Sequence, residues 1–331
     1  GSRRALAGLV FTTCLVGALA YGNARRADLR PAGNLSIGVV QPALSPAVWA
    51  DGDSDRRMNR LFALSDSLLA SEPETPPAMV VWPETAVPRT ETPRERRELY
   101  EILHTWTAAA NTTLITGTIR PARSGSASNN LPYNSAAIFH GDRSVDHYDK
   151  RVLVPFAEGI PGARYWSTLN TLQIDAGGVP GYQKGKGPGY LSMADASFAV
   201  GICFESLFGY LSHEALQRGA SFILILAQNG WWGDSPGPRQ HQSFTRLRAI
   251  ENRRAVVLAS ASGTTSLIRA DGRIARELGW MAPTAARFEV PVHRLNTWYS
   301  RFGDVIGWAA VMLTLCGGSV AVIELLFRRY G

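Results

Sequence analysis

The sequence predicts an α/β domain with layered, mixed sheets and an apolar segment at each end of the chain. Strand and helix patterns alternate through the middle of the 331 residues, as they do in α/β layered domains. Two of the strand patterns, 135–140 and 144–148, are separated by a Gly-Asp pair, which is typical of a hairpin and therefore of antiparallel pairing. Apolar runs at 5–21 and 305–327 lie outside this alternating region.

Hydrophobic spacing and turn residues locate the individual elements. One helical segment carries Phe244, Leu247 and Ile250 on one face, and Pro93 lies in the first turn of another. Short apolar runs bounded by turn residues predict strands. We expect helices at 55–70, 93–110, 207–219 and 241–254, a long Gly- and Pro-rich loop at 159–189, and strands at 35–41, 78–82, 113–118, 135–140, 144–148, 198–203, 222–227, 255–260, 265–269 and 286–290.

The two apolar runs predict membrane helices. The first is about the minimum length for a spanning helix, and the apolar core of a signal peptide is the alternative. The second ends in an Arg-Arg pair, which is typical of a membrane stop, and a buried core helix is the alternative. The predicted division is a membrane helix at 1–24 (the last of a longer N-terminal membrane region), a linker at 25–34, a large domain at 35–300 and a C-terminal membrane helix at 301–331.

Charge predicts the orientation of the helices and excludes some partners. Arginine pairs at 3–4 and 328–329 favour cytoplasmic termini and an extracytoplasmic large domain, whereas the arginines between 25 and 30 favour the reverse. The net charge is +7, but the arginines are dispersed and form no basic stripe with stacking aromatics, so no nucleic-acid partner is expected. No His, Cys and Asp residues have zinc spacing, and neither a metal nor another cofactor is expected.

Three residues at or just past predicted strand ends bear the reactive groups that acyl transfer needs. Cys203 is the only cysteine of the large domain, where it is either a buried apolar residue or a nucleophile. Glu84 follows a Trp-Pro pair, and the proline ends the strand before it. Lys150 follows the strand at 144–148. In α/β folds, ligand-binding groups collect at such strand ends.

Together these groups are sufficient for acyl transfer through a thiol. A cysteine needs a neighbouring base, and Glu84 can take its proton and later return it to a leaving group. The tetrahedral intermediate carries an oxyanion, which Lys150 and the backbone N–H of Phe204 can stabilise. Taken singly, each residue has a commoner interpretation as a buried thiol, a solvated acid or a surface amine. Their joint occurrence is what indicates a site.

Several segments resemble a known enzyme family. The segments 81–85 (VWPET), 149–158 (DKRVLVPFAE) and 201–206 (GICFES) are similar to the Glu-Lys-Cys signature of the nitrilase superfamily. The segments 229–235 (NGWWGDS) and 246–251 (RLRAIE) resemble its membrane branch, the apolipoprotein N-acyltransferases.

The resemblance implies an αββα nitrilase sandwich tethered by transmembrane helices. It implies that Cys203 takes an acyl chain from a phospholipid, with phosphatidylethanolamine the expected donor, to form a thioester. The amine of a diacylated, amino-terminal cysteine of a lipoprotein then attacks to give an amide. Glu84 would be general base and acid, Lys150 the oxyanion partner, and Glu158 and Glu205 supporting acids. The implied location is the bacterial cytoplasmic (inner) membrane, as a multi-pass protein with a periplasmic catalytic domain.

The resemblance also indicates substrate contacts around the triad. Trp49 matches a family tryptophan, and Asn134, Trp231 and Trp232 are further candidates; the loop aromatics serve either as packing or as an interfacial rim. Phe204 stands where family members often have tyrosine, so that a hydroxyl donor is missing there. Two alternatives stay open. One is a membrane-tethered hydrolase of amides or nitriles with the same triad, and the other is a catalytically silent binding protein.

Overall fold

Two packed β-sheets form the centre of the large domain in a computed structural model. The structure describes residues 2–27, 29–44, 54–122, 131–162, 181–193 and 196–330. In that part of the chain the strands are β1 (Gly33–Gln41), β2 (Met79–Val81), β3 (Thr113–Arg120), β4 (Tyr133–Phe139), β5 (Val145–Asp149), β6 (Tyr190–Met193), β7 (Ala196–Ile202), β8 (Phe222–Ala227), β9 (Val256–Ser260), β10 (Ser266–Ile268), β11 (Ile274–Glu277) and β12 (Thr284–Val292).

Each sheet has three parallel strands at its centre and antiparallel strands at its sides. The first sheet has the order β12-β1-β2-β3-β4-β5, with β1, β2 and β3 parallel, and the second has the order β11-β10-β9-β8-β7-β6, with β7, β8 and β9 parallel. The sheets pack through apolar faces that include Val81, Ile115, Phe198 and Leu224. Parallel strands that end at one edge bring the residues after them together there.

The α-helices of the described residues are α1 (Ser2–Ala27), α2 (Ser54–Ser71), α3 (Pro93–Ala110), α4 (Gly209–Leu216), α5 (Gly237–Asn252), α6 (Trp298–Phe302) and α7 (Val305–Tyr330), with 3₁₀ helices at Cys203–Leu207 and Asn229–Trp232. Helices α2 to α5 cover the outer faces of the two sheets. Met58 and Leu61 of α2 and Leu103 of α3 pack on the first sheet, and α4 and α5 contact β7 and β9 of the second. The predicted αββα sandwich is confirmed.

Local sequence signals explain where several elements begin and pair. Thr92 caps α3: its hydroxyl accepts a hydrogen bond from the Glu95 N–H at 3.1 Å, and Pro93 follows in the first turn as predicted. The predicted hairpin is also confirmed, because β4 and β5 are antiparallel neighbours in which Ser135 lies opposite Asp149.

The two edge strands of the second sheet, β6 and β11, were not predicted from the sequence. Each has only four residues, and an edge strand lacks the continuous apolar pattern that identifies a buried one. Helix α5 also differs from an ordinary amphipathic helix, because its apolar residues Phe244, Leu247 and Ile250 are exposed. Its buried face is mostly polar and consists of Pro238, His241, Gln242, Thr245, Arg248, Ala249 and Asn252.

One helix within the described residues is long and apolar enough to cross a membrane. It spans Arg4–Arg25 and none of it is buried in the protein. The described apolar stretch of α7, Val305–Ser319, is shorter.

Candidate active site

Glu84 lies in a turn after β2 that is held against β3. The Pro83 carbonyl accepts a hydrogen bond from the Gly117 N–H at 3.0 Å. A Cβ atom on Gly117 would lie 2.6 Å from the Cα of Glu84, so a side chain there would displace the turn. This close approach places the Glu84 carboxylate in the interior, at the edge of the sheet where the parallel strands end.

Lys150, directly after β5, is fully buried between two carboxylates. Its Nζ lies 2.8 Å from Oε1 of Glu158 and 3.2 Å from Oε1 of Glu84. Burial opposes the charged ammonium, but the Glu158 and Glu84 carboxylates outweigh burial and raise the pKa of Lys150 well above its ordinary value. Lys150 is therefore a cation at neutral pH.

Asn134 holds the same two carboxylates that flank the lysine. Its Nδ2 donates to Oε1 of Glu84 at 2.8 Å and to Oε1 of Glu158 at 3.2 Å. The backbone carbonyl of Asn134 accepts a hydrogen bond from the backbone N–H of Lys150 at 2.8 Å. The Oδ1 atom of Asn134 has no hydrogen-bond partner among the described residues. The structure thus places Asn134 within the lysine–carboxylate cluster.

Cys203 occupies the sharp turn between β7 and the following 3₁₀ helix. Its φ is +49°, in the left-handed region that non-glycine residues seldom adopt. Its buried thiol lies close enough to Glu84 and Lys150 for both charges to act on it. Burial and the Glu84 carboxylate raise the pKa of the thiol, while Lys150 opposes the increase. Cys203 is therefore a neutral thiol at rest and needs a base to become a nucleophile.

Glu205 joins the nucleophile turn to the segment that bears the lysine. Its carboxylate accepts hydrogen bonds from the N–H groups of Ile202, Arg151 and Val152, at 2.9, 2.6 and 3.0 Å, and from the hydroxyl of Tyr148, at 2.9 Å. Burial raises the pKa of Glu205, and the backbone N–H donors oppose this increase. Because these donors come from both segments, Glu205 fixes the position of Lys150 relative to Cys203.

Three residues of this region were not assigned to it from the sequence. Tyr148 precedes Lys150 by two residues. Side chains two residues apart along a strand lie on the same face, and this alternation could have placed Tyr148 beside the site. Gly185, interpreted as plain loop, donates its N–H to the Lys150 carbonyl at 2.7 Å; a Cβ atom there would overlap the carbonyl oxygen of Asp149. His241, the first residue of the helix predicted at 241–254, is buried beneath Cys203.

The aromatic candidates lie at the surface near the nucleophile turn. Trp231 and Trp232 are 49% and 40% exposed, and the Trp232 ring lies 5.5 Å from the ring of His241. Phe204, beside Cys203, is partly buried. Trp49 lies outside the described residues. Within the described residues, no three His, Cys, Asp or Glu side chains are grouped as metal ligands would be.

Comparison with known proteins gives consistent matches. The model of the carbon-nitrogen hydrolase family matches residues 57–299. Solved structures with a similar fold include a mutant amidase from Nesterenkonia sp. AN1 in complex with butyramide, with a TM-score of 0.58 and 14% identity over 78% of this chain and 92% of that one. Another is Nit3 from Saccharomyces cerevisiae, a member of the nitrilase superfamily, with a TM-score of 0.52 and 17% identity over 79% and 91%.

Curated relatives are similar over a longer part of the chain. The apolipoprotein N-acyltransferase of Chlorobaculum tepidum is 28% identical over 288 residues, which are 82% of this chain and 54% of that protein. The enzyme of the same name from Allorhizobium ampelinum is 33% identical over 281 residues, 82% of this chain and 50% of that protein. The chain therefore spans about half the length of the curated relatives it matches.

Proposed function

The chain belongs to the carbon-nitrogen hydrolase family, and we propose that it is an N-acyltransferase. In this proposal it moves an acyl chain from a phospholipid to the amino-terminal amine of a diacylated lipoprotein. The observation that carries the proposal is the cluster of Glu84, Lys150 and Cys203 in a chain whose curated relatives are named apolipoprotein N-acyltransferase.

The first half-reaction forms a thioester on Cys203. Glu84 takes the proton of the thiol as the sulfur attacks the ester carbonyl of the phospholipid. The resulting oxyanion is stabilised by the Lys150 ammonium and the Phe204 N–H. Collapse of the intermediate breaks the carbon–oxygen bond, and Glu84 returns the proton to the departing oxygen, which releases a lysophospholipid.

The second half-reaction transfers the acyl chain to nitrogen. The neutral α-amine of the lipoprotein attacks the thioester carbonyl, and Glu84 accepts a proton from that amine. The carbon–sulfur bond then breaks, the amide is released, and the proton restores the Cys203 thiol. Glu84 has the same role in both halves because it begins and ends each one as a carboxylate.

The fixed surroundings of these groups support the assignment of their roles. Glu158 and Glu84 both pair with the Lys150 ammonium. When Glu84 takes up a proton, Glu158 remains as the counter-charge of that ammonium. Glu205 holds the lysine segment and the nucleophile turn together. Asn134 orients both carboxylates. The exposed Trp231 and Trp232, with Trp49, we assign to contacts with lipid or acyl chain.

The proposal places the enzyme in the bacterial cytoplasmic membrane. The apolar helix Arg4–Arg25 and the apolar stretch Val305–Ser319 support a membrane helix on each side of the catalytic domain, which we take as 35–300, with a linker at 25–34 and membrane helices at 1–24 and 301–331. The arginine pairs at the two outer ends favour cytoplasmic termini and a periplasmic catalytic domain. In this orientation the catalytic domain takes the proposed donor, phosphatidylethanolamine, from the periplasmic surface of the membrane.

One experiment separates acyl transfer from hydrolysis, the alternative that uses the same triad. The protein is incubated in detergent with phosphatidylethanolamine and a synthetic diacylated lipopeptide, with Cys203→Ala as the matched control. The proposal predicts a triacylated lipopeptide and lysophospholipid from the wild type and neither from the variant. Release of free fatty acid without any acylated peptide would overturn the proposal in favour of a hydrolase.

A further inference from the structure

His241 lies beneath the nucleophile turn and contacts the backbone of Cys203. It is 3% exposed; its Nε2 lies 3.0 Å from the Cys203 carbonyl oxygen and its Nδ1 lies 2.9 Å from Oδ1 of Asn229. Nδ2 of Asn229 donates to the hydroxyl oxygen of Thr264 at 2.6 Å, and that hydroxyl donates to the Gly263 carbonyl at 2.7 Å. Three buried side chains therefore form a line of hydrogen bonds that ends at the nucleophile's carbonyl.

The protonation state of His241 fixes the direction of these bonds. Burial lowers the pKa of His241 to about 4, although its hydrogen bond to Cys203 opposes the decrease. A neutral imidazole has one N–H, and a carbonyl oxygen only accepts, so Nε2 carries the proton and Nδ1 is an acceptor. In the structure Oδ1 of Asn229 faces Nδ1 of His241, and Nδ2 of Asn229 faces the Thr264 hydroxyl. A half-turn of the amide exchanges these two atoms, so that the NH₂ group faces the unprotonated Nδ1 and the amide oxygen faces the Thr264 hydroxyl.

The carbonyl that His241 holds belongs to the same peptide group as the Phe204 N–H. No peptide bond among the described residues is cis, and in a trans peptide the C=O and N–H lie in one plane and point in opposite directions. Fixing the Cys203 carbonyl therefore fixes the direction of the Phe204 N–H. That N–H, in the first turn of a helix, has no hydrogen-bond partner among the described residues.

The nucleophile turn requires such a restraint. The positive φ of Cys203 is unfavourable, and a backbone of this kind persists only where its surroundings hold it. Glu205 accepts a hydrogen bond from the Ile202 N–H on one side of Cys203, and His241 holds the carbonyl on the other.

We propose that His241 is a positioning residue for acyl transfer, which aims the Phe204 N–H at the oxyanion by holding the Cys203 carbonyl. The inference rests on the proposed function. His241 neither touches the substrate nor moves a proton in it. Its contribution belongs to the two tetrahedral intermediates, in which negative charge builds up on the acyl oxygen.

Two reactions of the same sulfur separate this role from a merely structural one. Acylation by p-nitrophenyl butyrate joins carbon to sulfur through an oxyanion and expels nitrophenolate. Alkylation by iodoacetamide also joins carbon to sulfur but expels iodide and forms no oxyanion. A residue that aims an oxyanion donor affects only the first reaction, whereas a residue that shapes or stabilises the pocket affects both.

The test measures both rates at Cys203 by mass spectrometry of the tryptic peptide that contains it, after reaction of the full chain in detergent, because the exposed Cys14 and Cys316 also react with iodoacetamide. For His241→Ala we expect acylation to fall about 10- to 100-fold and alkylation to change by less than about twofold. His241→Gln, whose amide can still donate, should recover part of the acylation rate. Gln242→Ala is the matched control, because Gln242 is a buried, hydrogen-bonded neighbour on α5 that bonds Ser266 and Glu277 instead of the nucleophile turn; its ratio of the two rates should equal that of the wild type.

The possible outcomes are distinct. A parallel fall of both rates in His241→Ala, or an unchanged acylation rate, overturns the positioning role and leaves the proposed function standing. If His241→Ala does not fold, Thr264→Val replaces it, since this variant removes the far end of the same line of hydrogen bonds and should lower acylation alone; an equal change in both rates would again overturn the role. A wild-type protein that is alkylated but never acylated would overturn the proposed function, and this inference with it.

Discussion

The Nζ atom of Lys150 lies 2.8 Å from Oε1 of Glu158, and in this ion pair the lysine is fully buried and the glutamate partly buried, at the edge where the parallel strands end. The same Nζ atom lies 3.2 Å from Oε1 of Glu84. Two carboxylates thus share one cation in the interior. Removal of one partner of a buried ion pair leaves an uncompensated charge in the interior, which is strongly destabilising.

Replacement of Lys150 by Met should therefore destabilise the protein as well as inactivate it. The variant leaves Glu84 and Glu158 buried without their cation, and breaking a buried pair in this way costs about 3 to 5 kcal/mol. Thermal unfolding in detergent measures the loss. The double variant Lys150→Met, Glu158→Gln should regain part of the lost stability but no activity. Lys186→Met, at an exposed lysine, is the control; a stability loss no larger than that of the control would contradict the prediction.

Glu205→Gln should weaken the connection between the nucleophile turn and the lysine segment. The carboxylate accepts hydrogen bonds from four donors. The NH₂ group of an amide would face some of these donors, where the carboxylate presents an oxygen. We expect a loss of about 2 to 3 kcal/mol in unfolding free energy, together with reduced acylation of Cys203. Glu214→Gln is the matched control, because Glu214 also pairs with the Arg151 segment but is more exposed than Glu205. Equal behaviour of the two variants would argue against the joining role of Glu205.

Glu84→Gln should separate proton transfer from substrate binding. The amide keeps the shape of the carboxylate but cannot take the Cys203 proton, and the pKa of that thiol is raised by burial, so little thiolate is present without a base. We expect thioester formation to fall about 10²- to 10⁴-fold with little change in phospholipid binding. Pre-steady-state acylation rates and a vesicle-binding assay measure the two effects. A rate within about tenfold of the wild type would exclude Glu84 as the base.

Cys203→Ser should be nearly inactive, because Glu84 is a poor base for an alcohol whose pKa is far above that of a thiol. Serine retains the size and the turn geometry of the nucleophile. The measurement is the rate of acyl transfer to the lipopeptide. Turnover comparable to that of the wild type would contradict a mechanism through sulfur.

His241 should make the protein sensitive to mild acid. Its pKa is lowered to about 4 in the folded protein, while an unfolded histidine titrates near 6.5. Between these values the unfolded chain binds a proton that the folded chain does not, so stability falls as pH decreases. Going from pH 7 to pH 5, the wild type should lose about 2 kcal/mol more than His241→Gln. Parallel loss of Tm in both proteins over this range would show that His241 is not the neutral, buried group described here.

The fold was predictable from sequence wherever the signal is local. Pro93 marked the start of α3, and the apolar run at 222–227 identified β8 at the centre of the second sheet. The edge strands β6 and β11 were missed because they are short and bury little. The exposed side chains of Phe244 and Leu247 on α5 were equally unpredictable, since the opposite, polar face of that helix is the one that the site requires.

The site was predictable to the extent that its groups carry reactive side chains. Glu84, Lys150 and Cys203 could be selected by residue type and by their position after strands. His241 could not, because its function depends on the backbone carbonyl it meets from another element, 38 positions away in the chain. Gly185 was missed for a similar reason: its contribution is the absence of a side chain at one close approach, which only the packed structure reveals.

The most direct test of the account is the mass of the protein after exposure to phosphatidylethanolamine in the absence of the lipopeptide acceptor. The account predicts one added acyl group per chain, located by tryptic mapping on the peptide that contains Cys203 and absent from those that contain Cys14 and Cys316. Addition of the diacylated lipopeptide should remove the adduct as the triacylated product forms. An unmodified protein, or an adduct on any residue other than Cys203, would contradict it.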